Sequence, residues 1–239
     1  MLMYGWMLFV ETAPHRYDWA VKVMTAGRID RIKDRIAQTI HAGERVLDIG
    51  CGTGTLVERC LRRGAYVTGL DSSEFMLKEA EKHCIAAGGS SRSTLVRDSV
   101  TQLRKHFPAE SFDVITSTMA LGEFPHEYLD YILGDCRRLL RPGGRLIIAD
   151  EVWPERPVVR VLYGIGLALC WIPQFVLLRR APFPIRRLAE TIRAAGFEVR
   201  GRATWAASSL QLIFAEKAVA RGDDGRIEHL SVSTLTGSA

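Results

Sequence analysis

What the sequence does not contain narrows its class first. Its five cysteines, Cys51, Cys60, Cys84, Cys136 and Cys170, form no CxxC pair and no Cys/His cluster with ligand spacing. That pattern excludes a zinc module and a disulfide framework and fits a reduced, cytoplasmic chain. No close pair of histidines or carboxylates has ligand spacing either, so no metal is expected. Charge of one sign is not abundant: 32 basic residues against 27 acidic ones leave a net +5. The excess belongs mainly to the C-terminal half, where arginines crowd between Arg137 and Arg202. Nucleic acid and an anionic membrane surface are both partners for such a bias. The apolar segment 1–10 lacks a basic n-region and a small-residue cleavage site. It reads as a short segment packing on the domain or on a membrane, not as a signal peptide. At 47% hydrophobic and 25% charged residues, the 239-residue chain has the composition of one soluble domain with embellishments.

Against this background one stretch stands out, Val46-Leu47-Asp48-Ile49-Gly50-Cys51-Gly52-Thr53-Gly54-Thr55-Leu56. Residues 46–49, bounded by Gly43 and Gly50, read as a buried parallel strand. Gly50, Gly52 and Gly54 make a strand-to-helix turn that lets a ligand approach the backbone with no Cβ in the way. Helical spacing resumes at Thr55, so the free N–H groups of a helix N-terminus face the contents of the loop. The pattern D-x-G-x-G-x-G is not the dinucleotide fingerprint, and no lysine follows the glycines as in a P-loop. A chance glycine-rich turn is the competing reading. Against it stands a second strand, 65–71, ending in Asp71 beside Ser72, where an acid accepts both ribose hydroxyls of a nucleoside.

The stretch resembles motif I of the class I S-adenosylmethionine (SAM) methyltransferases, and the run LLRPGGRLIIAD at 139–150 resembles their motif III. The segment Pro14-His15-Arg16-Tyr17-Asp18 is similar to the A-x-x-Y-D segment of ubiquinone and menaquinone methyltransferases, members of the type 11 group. The resemblance implies a SAM cofactor whose methionine portion packs on Gly50, Cys51, Gly52 and Gly54. It also implies that Asp48 helps to hold the amino group, and that Tyr17 closes over the cofactor. Asp98 would read the adenine amino group and the backbone of Ser99 the ring. For Tyr17, a plain aromatic anchor of a helix competes; for Asp98, an ordinary helix cap does.

Along the chain, 11–38 carries helical signals, with Ile29, Ile32, Ile36 and Ile40 at three- and four-residue spacing. Ser72, Ser73 and Glu74 cap a helix over 75–87, and 94–99 is a third strand. The fourth strand and its exit run over 111–121. In an open parallel sheet the ligand lies beyond the carboxyl ends of the strands, so Ser117 and Met119 should border the transferable methyl. The Asn/Asp-Pro-Pro-aromatic signature of nucleobase and glutamine N-methyltransferases is absent there, which opposes a nucleic-acid target. Residues 127–140 form an amphipathic helix, 141–144 a turn, and 145–150 the fifth strand. A helix over 188–195 and strands over 197–203 and 210–217 follow.

Between strands five and six, 161–178 contains no charged residue and is flanked by Arg156, Arg160, Arg179, Arg180, Arg186 and Arg187. Three readings stand open: a marginal transmembrane helix broken by Gly164, Gly166 and Pro173, an interfacial hairpin, and a pair of short helices that lid the substrate pocket. The last two share an apolar acceptor site. This insertion and the C-terminal half resemble the corrinoid protein-associated methyltransferases, which implies a corrinoid-protein partner.

These readings combine into an α/β, Rossmann-like class I methyltransferase fold. A seven-stranded, mostly parallel sheet has helices on both faces and an apolar helical insertion between strands five and six. The expected divisions are an N-terminal helical cap (1–40), a SAM-binding domain (41–217, insertion about 153–187) and a mobile tail (218–239). The expected activity is methyl transfer from SAM to a small, apolar or lipid-like acceptor; the alternative is a SAM-binding accessory protein without independent turnover. Candidates for a general base are Tyr17, Glu123, His126 and Glu151. For His126, which opens a helix after Pro125, a surface histidine competes. The expected location is cytoplasmic, with the inner membrane face as a peripheral station.

Overall fold

The computed structural model describes residues 18, 22, 25, 27–154, 157, 159–161, 163–165, 184–205 and 209–218. Tyr17, most of 161–178 and the expected tail beyond residue 218 lie outside them. The elements are α1 (Arg28–Gln38), β1 (Arg45–Ile49), α2 (Thr55–Arg62), β2 (Tyr66–Asp71), α3 (Glu74–Ala86), β3 (Ser93–Arg97) and α4 (Leu103–His106). Then come β4 (Phe112–Thr118), α5 (His126–Leu139), β5 (Leu140–Glu151), α6 (Leu188–Ala194), β6 (Phe197–Trp205) and β7 (Leu210–Lys217). They build one seven-stranded sheet in the order β3-β2-β1-β4-β5-β7-β6. Every neighbouring pair is parallel except β5–β7 and β6–β7, so β7 alone runs against the rest.

The alternation of side chains along the strands divides the interior into two cores. Val46, Val114, Ile147 and Ala149 face α1, α2 and α3, where Ile32, Ile36, Leu56, Val57 and Leu61 meet them. Leu47, Ile49, Ile115, Leu146 and Ile148 face the other way, onto Leu129, Ile132 and Leu133 of α5 and Leu188 and Ile192 of α6. A strand buried on both faces needs an unbroken apolar run, which is why β1 reads as one. Each fully buried Ile or Leu contributes about 1.5–3 kcal/mol of transfer free energy. The expected spacing of α1 holds over its described turns, with Ile29, Ile32 and Ile36 buried.

Several boundaries shift by a residue or two, and one segment differs in kind. Helix α5 starts at His126, with Pro125 as its N-cap. The expected turn 141–144 is instead part of β5, which begins directly at Leu140. The pairing with β4 shifts register between Phe112 and Val114, opposite this segment, so Pro142 and Gly143 occupy an irregularity in the ladder. Pro lacks the donor a regular ladder needs and is tolerated at such places. A Cβ on Gly144 would stand 2.9 Å from the Arg141 carbonyl and 3.2 Å from that of Asp113, so only glycine fits between the two strands.

Candidate functional site

The carboxyl ends of β1, β2 and β4 open into a cleft of about 250 Å³. Its floor is the turn after β1. Gly50 and Cys51 donate their N–H groups to the Leu70 carbonyl, at 2.8 and 3.0 Å, which ties the turn to β2. Gly50 has φ +67°, and a Cβ there would lie 2.3 Å from Cβ of Ala120, on the wall that follows β4. Gly52, at φ +54°, would meet nothing within 4 Å, because its open side faces the cleft. Gly54 is the N-cap of α2. The Cys51 thiol points the other way, into the core, where burial pushes its pKa well up.

Asp71, at the end of β2, holds the turn from the side. One carboxylate oxygen accepts from the Gly52 N–H at 2.8 Å, the other from the Ser73 N–H at 2.9 Å. Burial raises its pKa and these backbone donors oppose the rise. Ser72 sits at the mouth, and Ser73 caps α3 by accepting from the Met76 N–H. Asp98 and Ser99 line the opposite wall. His106 Nε2 lies 2.7 Å from Asp98 Oδ2, and the Ser99 N–H donates to Oδ1 at 2.7 Å. The His106 bond, then the Ser99 N–H, hold the Asp98 carboxyl below its usual range. Of the two, Ser99 is the helix cap: its hydroxyl accepts from the Thr101 N–H.

Asp48 lies behind the turn, 1% exposed. One oxygen accepts from the Thr116 hydroxyl at 2.7 Å, and the other, Oδ2, has no hydrogen-bond partner. Burial pushes its pKa up to about 7, opposed by the Thr116 bond and by Lys33. Lys33, on α1, donates to the Thr55 hydroxyl at 2.6 Å, and desolvation lowers its pKa. Asp18 accepts from the Thr53 hydroxyl at 2.7 Å. The N-terminal segment thus clasps the glycine turn at two threonines.

The far wall is the exit of β4. Met119 has φ +58°, a left-handed conformation that costs an unbranched residue about 1–2 kcal/mol and persists only where the surroundings impose it. Its N–H donates to the Ala149 carbonyl at 2.8 Å. Asp150, 2% exposed, accepts from the Leu121 and Gly122 N–H groups at 2.9 and 3.2 Å and fixes the next turn. Burial pushes its pKa up to about 6. Glu123 and Phe124 complete the lining.

The structure therefore brings Gly50, Gly52, Asp71, Ser72, Asp98, Ser99 and Met119 to one cleft, together with Glu123. Asp48, Cys51, Gly54 and Ser117 stand behind its surface. Ser117 is 1% exposed and its hydroxyl has no partner. His126 is exposed at the start of α5 and Glu151 accepts from the Tyr163 hydroxyl; neither is part of the cleft lining. Sequence reasoning missed Lys33, Met76, His106 and Asp150. Only Asp150 carried a signal, as an acid ending a strand. Among the described residues no group of side chains has the arrangement of a metal site, and no helix is long and apolar enough to cross a membrane.

The residues fit SAM on two observations: an open glycine face at Gly52, and a buried carboxylate oxygen of Asp48 left without a donor. The sheet order, the glycine turn and the acid ending β2 define a Rossmann-like class I methyltransferase fold. Comparison with known proteins agrees. A methyltransferase-domain family model matches residues 46–144. A ubiquinone biosynthesis O-methyltransferase of Dechloromonas aromatica is 38% identical over 147 residues, which are 62% of this chain and 60% of that one. A demethylmenaquinone methyltransferase of Thermobifida fusca is 32% identical over 166 residues, 68% of each chain. The chain thus spans about three fifths of the first relative's length.

Among solved structures, the [4+2]-cyclase SpnF superposes with TM-score 0.63 at 22% identity, covering 80% of this chain and 81% of that one. A SAM-dependent methyltransferase from Mesorhizobium loti superposes at 0.60 and 21% identity, covering 77% and 95%. These likenesses concern the fold. The chain belongs to the class I SAM-dependent methyltransferases, whose cofactor is S-adenosylmethionine.

Proposed function

We propose that the protein transfers the methyl group of SAM to a small, lipophilic acceptor of the quinone type. The observation that carries this reading is the cleft itself: the turn, Asp71 and Asp98 gather beside the β4 exit, at the end of the sheet where such folds bind ligands. The named relatives act in ubiquinone and menaquinone chemistry, which supports the acceptor class.

When bound, SAM supplies an already activated methyl group, so the protein's task is mostly positioning, a contribution worth up to about 7–11 kcal/mol for well-oriented reactants. Asp71 would accept ribose hydroxyls with the lone pairs its backbone donors leave free. Asp98, held by His106, offers an acceptor to an exocyclic amine. Asp48 Oδ2 offers an acceptor behind the glycines for an ammonium group. The Met119–Phe124 wall, pinned by Asp150, fixes where an acceptor can approach. Among the described residues Glu123 is the one base candidate from the sequence that lines the cleft, and it would take the proton from an acceptor hydroxyl or carbon acid. The domain so employed is 41–217.

The test is release of S-adenosylhomocysteine on incubation with SAM and a demethylated quinone or a hydroxylated quinone precursor. Turnover with these and none with a polar amine acceptor is expected. SAM binding without turnover on any lipophilic acceptor would refute the reading.

A further inference from the structure

Asp98, on the wall of the cleft, is held by a helix that does not itself line the cleft. Helix α4 is four residues long, too short to persist on its own hydrogen bonds, so its place is set by what grips it. Leu103 is fully buried in the core shared with α5. Arg104 donates from Nε to Oδ1 of Asp135 on α5, a fully buried carboxylate that needs such a partner. Arg138, one turn further along α5, donates to the Phe107 carbonyl at 3.0 Å. Phe107 in turn packs edge-on against Phe112 at the start of β4, with ring centroids 5.2 Å apart. The neighbours on both sides of His106 are thus fixed, and its Nε2 is delivered 2.7 Å from Asp98 Oδ2. The two side chains are only 25% and 23% exposed.

Asp98 is fixed from behind as well. Its own N–H donates to the Asp71 carbonyl at 3.2 Å, and the Ser99 N–H donates to Oδ1 at 2.7 Å. A second cation, Lys105, stands 3.6 Å from Oδ2, but its side chain is exposed and solvent screens it. The His106 bond is the largest influence that holds the Asp98 carboxyl below its usual range.

We propose that His106 is a positioning residue that sets which purine the cleft takes: through Asp98 it makes the cleft accept a 6-amino base and reject a 6-oxo base. The inference rests on the methyl-transfer reading and adds what enforces the choice of base. An ionised carboxylate has only lone pairs to offer. An exocyclic amine donates to it, whereas a ring carbonyl in the same place sets oxygen against oxygen and leaves the charged acceptor unpaired. A carboxyl free to swing away or to take up a proton would accommodate both. His106 occupies one side of Oδ2 and opposes both escapes, leaving the remaining lone pairs for the base. The apolar side chains of Leu70, Met76 and Val100 in the same lining offer the surface on which a ring would lie.

The test is calorimetric titration of the full chain and its variants with S-adenosylhomocysteine and with S-inosylhomocysteine, which carries oxygen in place of the 6-amino group. Wild-type protein should prefer the amino ligand by about a hundredfold or more, as sites built around a hydrogen bond do. His106→Ala should lose about tenfold or more of that preference, chiefly through weaker binding of the amino ligand. His106→Leu, which keeps bulk without a donor, should lose it likewise, and His106→Gln, which keeps an N–H donor, should restore most of it. Lys105→Ala should retain it. The ratio of the two affinities is the readout, because a general loosening of the fold weakens both ligands alike and leaves the ratio unchanged. An unchanged ratio in His106→Ala and His106→Leu would overturn the proposal while leaving the methyl-transfer reading in place. An equal loss in Lys105→Ala would overturn it too, since charge and not position would then be the cause. Failure of the wild type to bind either ligand would remove the methyl-transfer reading and the proposal with it.

Discussion

Asp48→Asn separates what the buried acid costs the fold from what it supplies to the site. With its pKa pushed from 3.8 to about 7, the ionised carboxylate is disfavoured in the folded chain by roughly 4 kcal/mol once the pH is above both values. The sign follows from proton counting. Between about pH 4 and 7 the folded chain keeps a proton that the unfolded chain has released, so stability falls as pH rises through that window and is lowest above 7. Asparagine has no charge to bury and still accepts from the Thr116 hydroxyl. Lys33 would lose an attractive neighbour, which offsets part of the gain. The ligand-free variant should therefore be more stable than wild type at pH 8 by about 2 kcal/mol, or about 4–8 °C in Tm for a chain of this size. The difference should shrink towards pH 4.5. Urea unfolding at the two pH values measures it, and S-adenosylhomocysteine should then stabilise the wild type more than the variant. A variant that is less stable at pH 8, by an amount independent of pH, would refute the assignment.

Other substitutions test the remaining parts. Gly50→Ala should cost several kcal/mol and fail to accumulate as folded protein, because its Cβ meets Ala120 at 2.3 Å in a left-handed conformation. Gly52→Ala, with the same backbone strain but open space, should lose about 1 kcal/mol by urea unfolding and show its main defect in cofactor affinity. Glu123→Gln should lower kcat on a hydroxyl acceptor by about 10²-fold or more with little change in cofactor binding. Equal losses in both would place Glu123 in the binding surface instead. Ile36→Ala, in the centre of the α1 contact, should cost about 2–5 kcal/mol by thermal or urea unfolding.

The strongly periodic parts were legible from sequence. An apolar run ending in Asp48 had to be a two-sided strand, and the acid ending β2 had to face the glycine turn, because parallel neighbours end together. An antiparallel pairing of 197–203 with 210–217 was legible, but not its placement, with β7 inserted between β5 and β6. Local pattern does not encode which edge a returning strand takes. The start of β5 was missed because Arg141-Pro142-Gly143-Gly144 has turn chemistry, while its actual role is an irregularity held by packing against Asp113. Lys33 and His106 were invisible as site residues, and Asp150 showed only as an acid ending a strand, for a related reason. Each acts through a partner distant in sequence, Thr55, Asp98 and the 121–122 turn respectively, and only the folded chain brings those pairs together. Asp71 at the end of β2 and Asp98 just past β3 were legible as cleft residues because the fold places all strand ends of one direction on one side.

The account stands most directly on cofactor binding. Calorimetric titration of the purified chain with S-adenosylhomocysteine, with NADH as control, should give micromolar affinity for the first and none for the second. Asp71→Ala should remain folded and weaken that affinity at least tenfold, since it removes the group that orders the turn and lines the cleft. Tight NADH binding, or undiminished S-adenosylhomocysteine affinity in folded Asp71→Ala protein, would contradict the site described.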